Sequence, residues 1–434
     1  MAVSMRKETG RSEATEARIA GLDLPKGGFT AAARGAALTR LRTMGLPTSR
    51  DEYWKWTDPA VLNGATPPGS AAFRVDRPIF DGRDKLRLIF TDGVFDADAS
   101  DQGALDGVEI SRLSDADAAD IHWAQGLYGA LESAAQDPIS RPFAALNTAA
   151  ARDGLLVRVT GQPSRPLHIS YRQSSDHSDV VLHHCIRLEA GAELTLLETG
   201  TPGARANVVT EVDVAEGARF HHIRPQGRAL ERLLLTHLFA RVAANATLKS
   251  FTLTTNGALT RNEADIAIIG DGATAHIAGA ALGDGKDGSL RHDDTVFVRH
   301  TGVGCESRQV FKKVLKNGAL GIFQGKILVE NGAQKTDGYQ ISQALLLDED
   351  SQFLAKPELE IYADDVKCSH GSTTGAIDET ALFYLRSRGV SREDATSMLV
   401  LSFLADAIAE IEDEGLAAEI VERLEDWLAR RRKV

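Results

Sequence analysis

The middle of the chain, from about residue 155 to about residue 367, consists of short runs in which apolar and polar residues alternate. This two-residue period is typical of β-strands whose two faces meet different surroundings. Between the runs a short phrase recurs: a Gly or Asn, then Ala, then alternating apolar positions. Its copies begin at Gly191, Gly217, Asn245, Gly272, Gly318 and Gly332.

The spacing of these copies indicates a repeating architecture. The first four begin 26, 28 and 27 residues apart, and the step from Gly272 to Gly318 is 46 residues. Such a period, with strands and tight turns and without intervening helices, favours the coils of a parallel β-helix. A β-sandwich is the alternative, but its strands recur at shorter, hairpin-like spacing. We therefore predict a mainly β protein built on a parallel β-helix.

Helical patterns flank the repeats on both sides. Residues 11 to about 70 carry apolar positions three or four apart, together with the aromatic group "YWKWT" that begins at Tyr53. Strand-like and helical runs then alternate up to about residue 154. The predicted domains are a helical region over residues 1–75, a mixed lead-in over 76–154, the β-helix over 155–370 and a helical domain over 371–434.

Three helices are predicted after the repeats. Asp378 can cap the first, and Gly389 can end it in a left-handed conformation. Ser391 and Asp394 form a capping pattern before the second, and Gly415 separates the third. The apolar stripes of the last two helices could pack on one another or dock a partner; they consist of Val400, Leu404, Ala407 and Ile411, and of Leu416, Ile420, Leu424 and Trp427.

The composition is that of a soluble, folded protein, since 43% of the 434 residues are hydrophobic and 25% are charged. A net charge of −12 disfavours binding to nucleic acid or to anionic membranes. The basic run from Arg430 to Lys433 closes the last predicted helix, where the helix dipole is a sufficient reason for it. The chain begins without the apolar core of a secretory signal and contains no apolar stretch of membrane-spanning length, so we expect a cytoplasmic protein.

Cys368 and His370 are the main candidates for chemistry. The three cysteines are scattered, so reduced thiols are expected rather than a disulfide framework. Residues two apart on a strand share a face, so Cys368 and His370 could address one ligand. Thiolate and imidazole bind zinc, copper or iron-sulfur species, but no CxxC or HxxxH supplies further ligands nearby. Spacing alone leaves a metal site, a nucleophile with its base, and a structural pair as alternatives.

Other histidine groups carry weaker signals. His183 and His184 beside Cys185, and His221 beside His222, are expected to alternate between the two faces of predicted strands. A later polar stretch could bind a divalent ion, although exposed loops often have this composition; it contains His292, Asp293, Asp294 and His300.

A nucleotide-binding motif matches only by letter. The phrase "GDGKDG", which begins at Gly283, fits GxGxxG but opens no predicted helix that could hold a pyrophosphate. We therefore expect it to be a turn of the repeats. Motifs of the P-loop and of the α/β-hydrolase nucleophile are absent from the sequence.

Four phrases in the second half of the chain resemble a known family. They are "SRQVFKKVLKNGALGIFQGKI" from Ser307, "AQKTDGYQISQALLLDED" from Ala333, "KPELEIYADDVKCSHG" from Lys356 and "LFYLRSRG" from Leu382. Together they resemble the SufB/SufD family, the scaffold subunits of the SUF iron-sulfur cluster assembly machine, and its SufD branch in particular. The likeness is looser toward the N-terminus, in "LPTSRDEYWKWTD" and "FAALN".

The resemblance implies a right-handed parallel β-helix between an N-terminal helical region and a C-terminal helical domain. It also implies a scaffold without enzymatic activity of its own. Such a subunit pairs with SufB through the end of the β-helix and recruits the SufC ATPase through its C-terminal helices. Family analogy further allows reduced flavin in the complex, although no nucleotide-binding motif of this chain supports it.

The resemblance changes how Cys368 and His370 are interpreted. The histidine of the "KCSHG" phrase is a proposed interface ligand in the family, and it corresponds to His370, with Cys368 as the adjacent thiol. Half a ligand set is a reasonable site when a partner contributes the remainder. We therefore expect these two residues to bind a transient iron-sulfur cluster that is shared with SufB. Cys305 precedes the shared phrases and is expected to pack in the coil.

Two other functions stay open on the sequence alone. A carbohydrate-active β-helix enzyme usually has a signal peptide and clustered carboxylates on an outward strand face, and neither is evident here. A self-sufficient zinc-binding protein is the second, and stoichiometric zinc in the purified monomer would support it.

Overall fold

A computed structural model describes residues 2–72, 78–137, 139–227, 229–285 and 290–431, with side chains from residue 10 to residue 429. Three features predicted from the sequence lie wholly or partly outside these residues. They are the boundary near residue 75, the second half of the "GDGKDG" phrase and the basic run from Arg430 to Lys433.

Two β-sheets form the body of the protein. Their strands, in chain order, are β1 (Leu86–Thr91), β2 (Val94–Phe95), β3 (Val108–Arg112), β4 (Leu155–Val159), β5 (Leu167–Arg172), β6 (Asp179–Leu188), β7 (Glu193–Gly200), β8 (Arg205–Val214), β9 (Arg219–Gln226), β10 (Leu233–Val242), β11 (Thr247–Thr255), β12 (Leu259–Ile268), β13 (Thr274–Asp284), β14 (Arg291–His300), β15 (Glu306–Lys316), β16 (Leu320–Val329), β17 (Asp337–Leu346), β18 (Gln352–Ile361) and β19 (Lys367–Gly375). Sheet A contains β1, β2 and the odd-numbered strands from β5 onward. Sheet B contains β3, β4 and the even-numbered strands from β6 onward.

From β4 onward the chain alternates between the two sheets. Each strand from β6 to β19 lies parallel to the strand two positions before it, for example β12 beside β10 and β17 beside β15. Antiparallel pairs occur only at the beginning, between β1 and β2 and between β3 and β4, within the described residues. The result is a β-solenoid of about seven turns, which confirms the predicted β-helix.

The recurring Ala phrase has a physical origin at one corner of the solenoid. Its first four turn residues have positive φ, a conformation that glycine and asparagine adopt with least strain; they are Gly191, Gly217, Asn245 and Gly272. The Ala after each of them is buried. The carbonyl of each Ala accepts a hydrogen bond from the next turn, as Ala218 does from the Thr247 N–H at 2.9 Å, so these small side chains stack in a column.

The core lies between the two sheets. Alternate side chains point into it, such as Phe220 and Leu248 from sheet A and Val242 and Ile266 from sheet B. The opposite faces of both sheets are buried too, because helices cover them. This arrangement explains why consecutive residues in the central strands are buried together.

N-terminal helices cover the outer face of sheet B. They are α1 (Ala2–Ala20), α2 (Ala31–Met44), α3 (Ala60–Asn63), α4 (Leu113–Ala116), α5 (Ala130–Ala134) and α6 (Pro142–Ala150), with short 3₁₀ helices at Glu52–Trp54 and Trp123–Gly126. Leu41 and Trp54 pack against Leu233 and Leu259 of the sheet. The Arg261 guanidinium lies 4.0 Å from the centre of the Trp54 ring, so the "YWKWT" group fastens this region to sheet B.

C-terminal helices cover the outer face of sheet A. They are α7 (Glu379–Ser387), α8 (Arg392–Ile408) and α9 (Glu414–Arg431). Val400 of α8 and Ile420 of α9 belong to the same buried cluster as Phe251 and Val310 of sheet A. An ion pair between Lys312 and Asp406 at 2.8 Å adds to this contact. The apolar stripes predicted from the sequence therefore pack on the solenoid as well as on one another.

The predicted caps of α7 and α8 and the glycine after α7 are confirmed. The Asp378 carboxylate accepts hydrogen bonds from two backbone N–H groups at the start of α7. Gly389 follows α7 with φ of 88°. The Ser391 hydroxyl accepts a hydrogen bond from the Asp394 N–H at 3.0 Å. Gly415 was predicted to separate the last two helices, but it lies within the first turn of α9, and residues 409–413 separate α8 from α9. None of the described helices is both long and apolar enough to cross a membrane.

Candidate functional site

The solenoid ends in two strands whose outer edges meet no further strand in the described part of the chain. β18 pairs with β16, and β19 pairs with β17. The side chains of β18 and β19 are all partly or fully exposed, whereas half or more of those in β16 and β17 are buried. This end of the molecule therefore presents two exposed strand edges, ten and nine residues long.

Cys368 lies near the start of β19 and turns its side chain toward the interior. It packs with Ile327 and Leu359 of the opposite sheet. Its neighbour in register on β17 is Gly338, where a Cβ atom would lie 3.2 Å from the Cys368 sulfur. The glycine thus leaves room for the sulfur. Burial raises the pKa of the Cys368 thiol, a hydrogen bond with the Gly338 backbone lowers it, and Asp337 raises it again, so the net shift is upward.

His370 follows on the same face of β19 and is exposed. Its side chain makes no hydrogen bond to another described residue. In register beside it on β17 is Gln340, which is fully buried and donates a hydrogen bond from Nε2 to the Gln309 Oε1 at 2.7 Å. The Oε1 atom of Gln340 has no hydrogen-bond partner among the described residues. An acceptor oxygen is therefore available on the residue beside His370.

The arrangement of Cys368 and His370 suits a ligand that approaches the open end of the solenoid. Their Cα atoms are about 7 Å apart, because a strand rises roughly 3.3 Å per residue. One sulfur and one imidazole nitrogen are accepted donors for zinc and iron-sulfur species. Within the described residues, neither side chain belongs to a group of three or more potential metal ligands. This chain therefore offers an incomplete ligand set at this end.

A closer group of potential ligands lies elsewhere and was missed by the sequence analysis. Donor atoms of His183, Cys185 and Glu211 all lie within 4.8 Å of one another. Cys185 and Glu211 are in register on the neighbouring strands β6 and β8. In the sequence, the signal for this group was an acidic residue one solenoid turn after the His-x-Cys phrase. All three residues are buried, and burial raises the pKa of Cys185 well above its usual value.

The geometry gives this group a structural role. The Glu211 carboxylate accepts hydrogen bonds from the backbone N–H groups of Gly129 and Glu132, at the start of α5. It also lies 2.9 Å from the His183 Nε2 atom. The His183 Nδ1 atom lies 3.1 Å from the Asn147 Oδ1 atom on α6. The group therefore links the N-terminal helices to sheet B through hydrogen bonds.

The histidine pairs divide between strand faces as predicted. His184 points to the opposite side from His183, into the solenoid, where its Nε2 atom lies 3.0 Å from the Tyr171 hydroxyl. His222 is buried and lies 3.1 Å from the Ser250 hydroxyl, whereas His221 is partly exposed.

The later polar stretch is not an exposed loop. Its four residues lie in strand β14 and are buried: His292, Asp293, Asp294 and His300. Inside the solenoid, the Lys313 Nζ atom lies 2.8 Å from the His292 Nδ1 atom and 2.6 Å from an Asp294 oxygen. On the other face of the strand, Asp293 pairs with Arg261. These contacts compensate the buried charges. The sequence could not show the contacts, because the partner residues come from other turns of the solenoid.

Two further expectations concern Cys305 and the glycine-rich phrase. Cys305 is buried in the core, and its thiol donates a hydrogen bond to the Gly270 carbonyl at 3.1 Å, which confirms that it packs in the coil. Gly283 and Asp284 end strand β13, and the second half of "GDGKDG", from residue 286, lies outside the described residues. The expectation that this phrase is a turn of the repeats therefore stays a prediction.

Comparison with known proteins identifies the family. A family model described as "SUF system FeS cluster assembly, SufBD core domain" matches residues 171–403, more than half of the chain. The chain belongs to the SufB/SufD family. The matched region of this SufBD chain runs from β5 to α8 and includes both Cys368 and His370.

Individual relatives agree with the family model. The iron-sulfur cluster assembly protein SufD of Escherichia coli K12 is 30% identical over 402 residues, which cover 89% of this chain and 90% of that protein. A SufBD family protein of Synechocystis is 25% identical over 399 residues, or 87% and 86% of the two chains. SufD of Bacillus subtilis is 32% identical over 158 residues, 36% of each chain. The resemblance to the SufD branch is confirmed, and the chain has a role in iron-sulfur cluster assembly.

Proposed function

We propose that this chain is a non-catalytic scaffold subunit that builds, together with a SufB partner, a shared site for a nascent iron-sulfur cluster. Cys368 and His370 are this chain's ligands to the cluster, which is the cargo of the assembly. The observation that carries the proposal is the position of both residues on the unpaired terminal strand β19, at the open end of the solenoid.

The strand edges at this end support a partner that continues the solenoid. Long exposed edges favour pairing with another chain, because their backbone groups lack partners. Apolar side chains lie beside them: Ile361 is 38% exposed and Tyr362 is 59% exposed. A SufB solenoid that docks here would pair with the edges and cover these side chains. Such an interface would also enclose Cys368 and His370.

The incomplete ligand set supports a site that two chains share. Two donors from this chain leave coordination positions for the partner, since clusters and zinc are usually held by four protein ligands. Iron binding would release the proton of the Cys368 thiol, because the thiolate is the ligand. Gln340 lies beside His370 with a free acceptor oxygen and would orient the imidazole through its second nitrogen, as outer partners of metal-bound histidines do.

The C-terminal helices supply a second docking surface, for which we propose the SufC ATPase as the occupant. This α7–α8 surface is defined by three exposed apolar side chains: Phe383, Tyr384 and Met398 are 73%, 57% and 51% exposed. A cavity of about 440 Å³ lies at the turn between the two helices, lined by Phe383, Val390 and basic residues. Since the other faces of α8 and α9 pack on sheet A, this surface is available for a partner.

Anaerobic coexpression with SufB and SufC tests both docking and cluster formation. The variants are His370→Ala, with Thr374→Ala as a control on the same strand face, and Phe383→Asp, with Ile121→Asp as an exposed apolar control away from α7. We expect His370→Ala to form the whole complex but to retain much less iron and sulfide than the native chain, because a ligand is missing. We expect Phe383→Asp to lose SufC while keeping SufB.

Two results would contradict the proposal. If His370→Ala and native complexes hold equal iron and sulfide, the "KCSH" segment is structural. If Phe383→Asp retains SufC as fully as Ile121→Asp does, SufC docks elsewhere. Size-exclusion mass and metal and sulfide content per complex are the measurements.

A further inference from the structure

A cavity of about 550 Å³ opens on the outer face of sheet A, beside α9 and away from β18 and β19. Its floor is formed by outward-facing positions of β1, β5 and β7. They are Arg87, His168, Ser170, Arg172 and Thr199.

The floor of this cavity is more polar than the rest of the outer face of sheet A. Further along the same face, the outward positions are apolar and lie under the C-terminal helices, as Leu197, Ile223 and Phe251 do. The floor positions instead carry guanidinium, imidazole and hydroxyl groups. Packing against helices does not require these groups, so their concentration points to a polar ligand.

Two arginines in the cavity lack the carboxylate partners that other sheet arginines have. Arg205 pairs with Asp179 at 2.7 Å and Arg241 pairs with Asp213 at 2.8 Å. Arg87 and Arg172 form no ion pair with any described residue. Among its described residues, the lining of the cavity contains one further arginine and a single acidic residue, Asp81.

The floor of the cavity contains a buried histidine, His168, whose pKa depends on the charges around it. The residue is 3% exposed, and its Nε2 atom lies 2.7 Å from the Thr199 hydroxyl. Burial, and then the positive charges of Lys85 and Arg87, lower the pKa of His168 to about 3. Asp101 and Glu198 oppose this shift, and the imidazole is neutral at physiological pH. The described lining of the cavity carries Arg87 and Arg172 against the single acid Asp81, although the whole chain carries a net charge of −12.

The spacing of the two free arginines limits the size of the anion. In the sheet, Arg87 is in register with His168, and Arg172 lies four positions further along the neighbouring strand. Their Cα atoms are therefore about 14 Å apart, given the rise of a strand and the separation of adjacent strands. Ser170 lies at a position between them on β5, and Thr199 lies beside Ser170 on the next strand, β7. Two side chains of this length converge on an anion with two linked charged groups better than on a single small ion.

We infer that this cavity binds a small molecule that carries a diphosphate group. Arg87 and Arg172 bind one phosphate each through their guanidinium forks, and the Ser170 hydroxyl between them donates a hydrogen bond to the bridging region. The volume accommodates more than the diphosphate itself, so the ligand is either free pyrophosphate or a nucleotide that carries a diphosphate.

Isothermal titration calorimetry of the full chain with inorganic pyrophosphate and, separately, with adenosine diphosphate tests this inference. The variant Arg87→Gln/Arg172→Gln is compared with the native chain and with Arg50→Gln, an exposed arginine on the N-terminal segment outside the cavity. Because Arg87 and Arg172 have no ion-pair partners, we expect the double variant to fold, and its thermal unfolding checks this. We expect the double variant to lose at least about tenfold in affinity, since a charge-assisted contact to each phosphate is removed.

The two ligands distinguish the sources of the diphosphate. Tighter binding of adenosine diphosphate identifies a nucleotide, whereas equal or weaker binding identifies free pyrophosphate, and either supports the inference. Absence of binding by both ligands overturns it. So does an affinity that falls equally in Arg50→Gln and in the double variant. If the double variant unfolds, the same titration is made with the single variants Arg87→Lys and Arg172→Lys, for which an unchanged affinity would overturn the inference.

Discussion

Individual cysteines and histidines differ mainly in how far water can reach them. Cys185 and Cys305 are buried, and Cys368 is partly exposed at the end of the solenoid. His370 is exposed two residues later, whereas His183 and His184 are completely enclosed. The Cys368 and His370 pair is therefore the one that a second chain could reach without disturbing the core.

The raised pKa of Cys368 predicts how the thiol reacts in the isolated chain. The thiolate is the reactive species, so alkylation by iodoacetamide should be slow at pH 7 and should increase up to a pH above the ordinary thiol value. Cys185 and Cys305 should stay unmodified while the chain is folded. Peptide mass spectrometry after timed labelling at several pH values measures this, with Cys368→Ser as the control. Rapid modification of Cys368 at pH 7 would show that its pKa is lowered instead.

The sequence was sufficient to predict that Cys368 and His370 lie on one face of a strand, because residues two apart on a strand share a face. Their role as ligands stays a prediction that rests on the resemblance of the surrounding phrase to a known family. The sequence was not sufficient for Glu211 or Lys313. Both form contacts with residues from other turns, and those contacts depend on register between strands that are far apart in sequence. Burial of His292 depends on the same register and on the covered outer faces.

At the level of strands and turns, the column of buried Ala residues that follow the left-handed turn residues explains which repeats the sequence revealed. The column continues at Gly304, with φ of 67°, and Cys305 takes the place of Ala. That copy was missed because the small residue changed. The phrase at Gly318 belongs to the opposite corner, between β15 and β16, which explains the step of 46 residues after Gly272. Strand β1 precedes the repeats in sequence but joins sheet A, a pairing that no local pattern indicates.

The left-handed turns of the column predict a specific order of stabilities. A Cβ atom at Gly217 would meet no atom within 4 Å, so only backbone strain opposes a side chain there. Gly217→Ala should lower the free energy of unfolding by about 1 kcal/mol, the usual cost of a positive φ. Gly217→Asn should lower it less, since Asn245 adopts the same conformation one turn later. Urea denaturation compares them. Equal stability of Ala and native proteins would contradict this explanation.

In the whole molecule, helices cover both outer faces of a two-sheet solenoid, so many titratable groups are enclosed. Burial lowers the pKa of both His184 and His300 to about 4. Burial alone would raise the pKa of Glu198, but His222 and Arg224 lower it to about 2. These buried histidines therefore contribute to the pH dependence of folding above pH 4, and Glu198 contributes to it at lower pH.

Acidification from pH 6.5 to pH 4 should destabilise the folded chain. Below pH 6.5 the unfolded state binds protons at these histidines and the folded state does not, until the pH reaches the folded pKa. Each such histidine lowers the free energy of unfolding by about 1.4 kcal/mol per pH unit in this window. Urea denaturation at several pH values measures the slope, which His300→Gln should reduce and the exposed control His177→Gln should not. A stability that stays constant or rises on acidification would contradict this expectation.

Direct bonding of His370 to the cluster can be tested by pulsed electron paramagnetic resonance of the reduced complex. This chain is purified with ¹⁵N-labelled histidine and assembled anaerobically with unlabelled SufB and SufC. We expect a ¹⁵N hyperfine coupling of a bound imidazole nitrogen in the native and Thr374→Ala complexes, and its loss in His370→Ala. A cluster without ¹⁵N coupling in the native complex, or a coupling that persists in His370→Ala, would show that His370 is not a ligand.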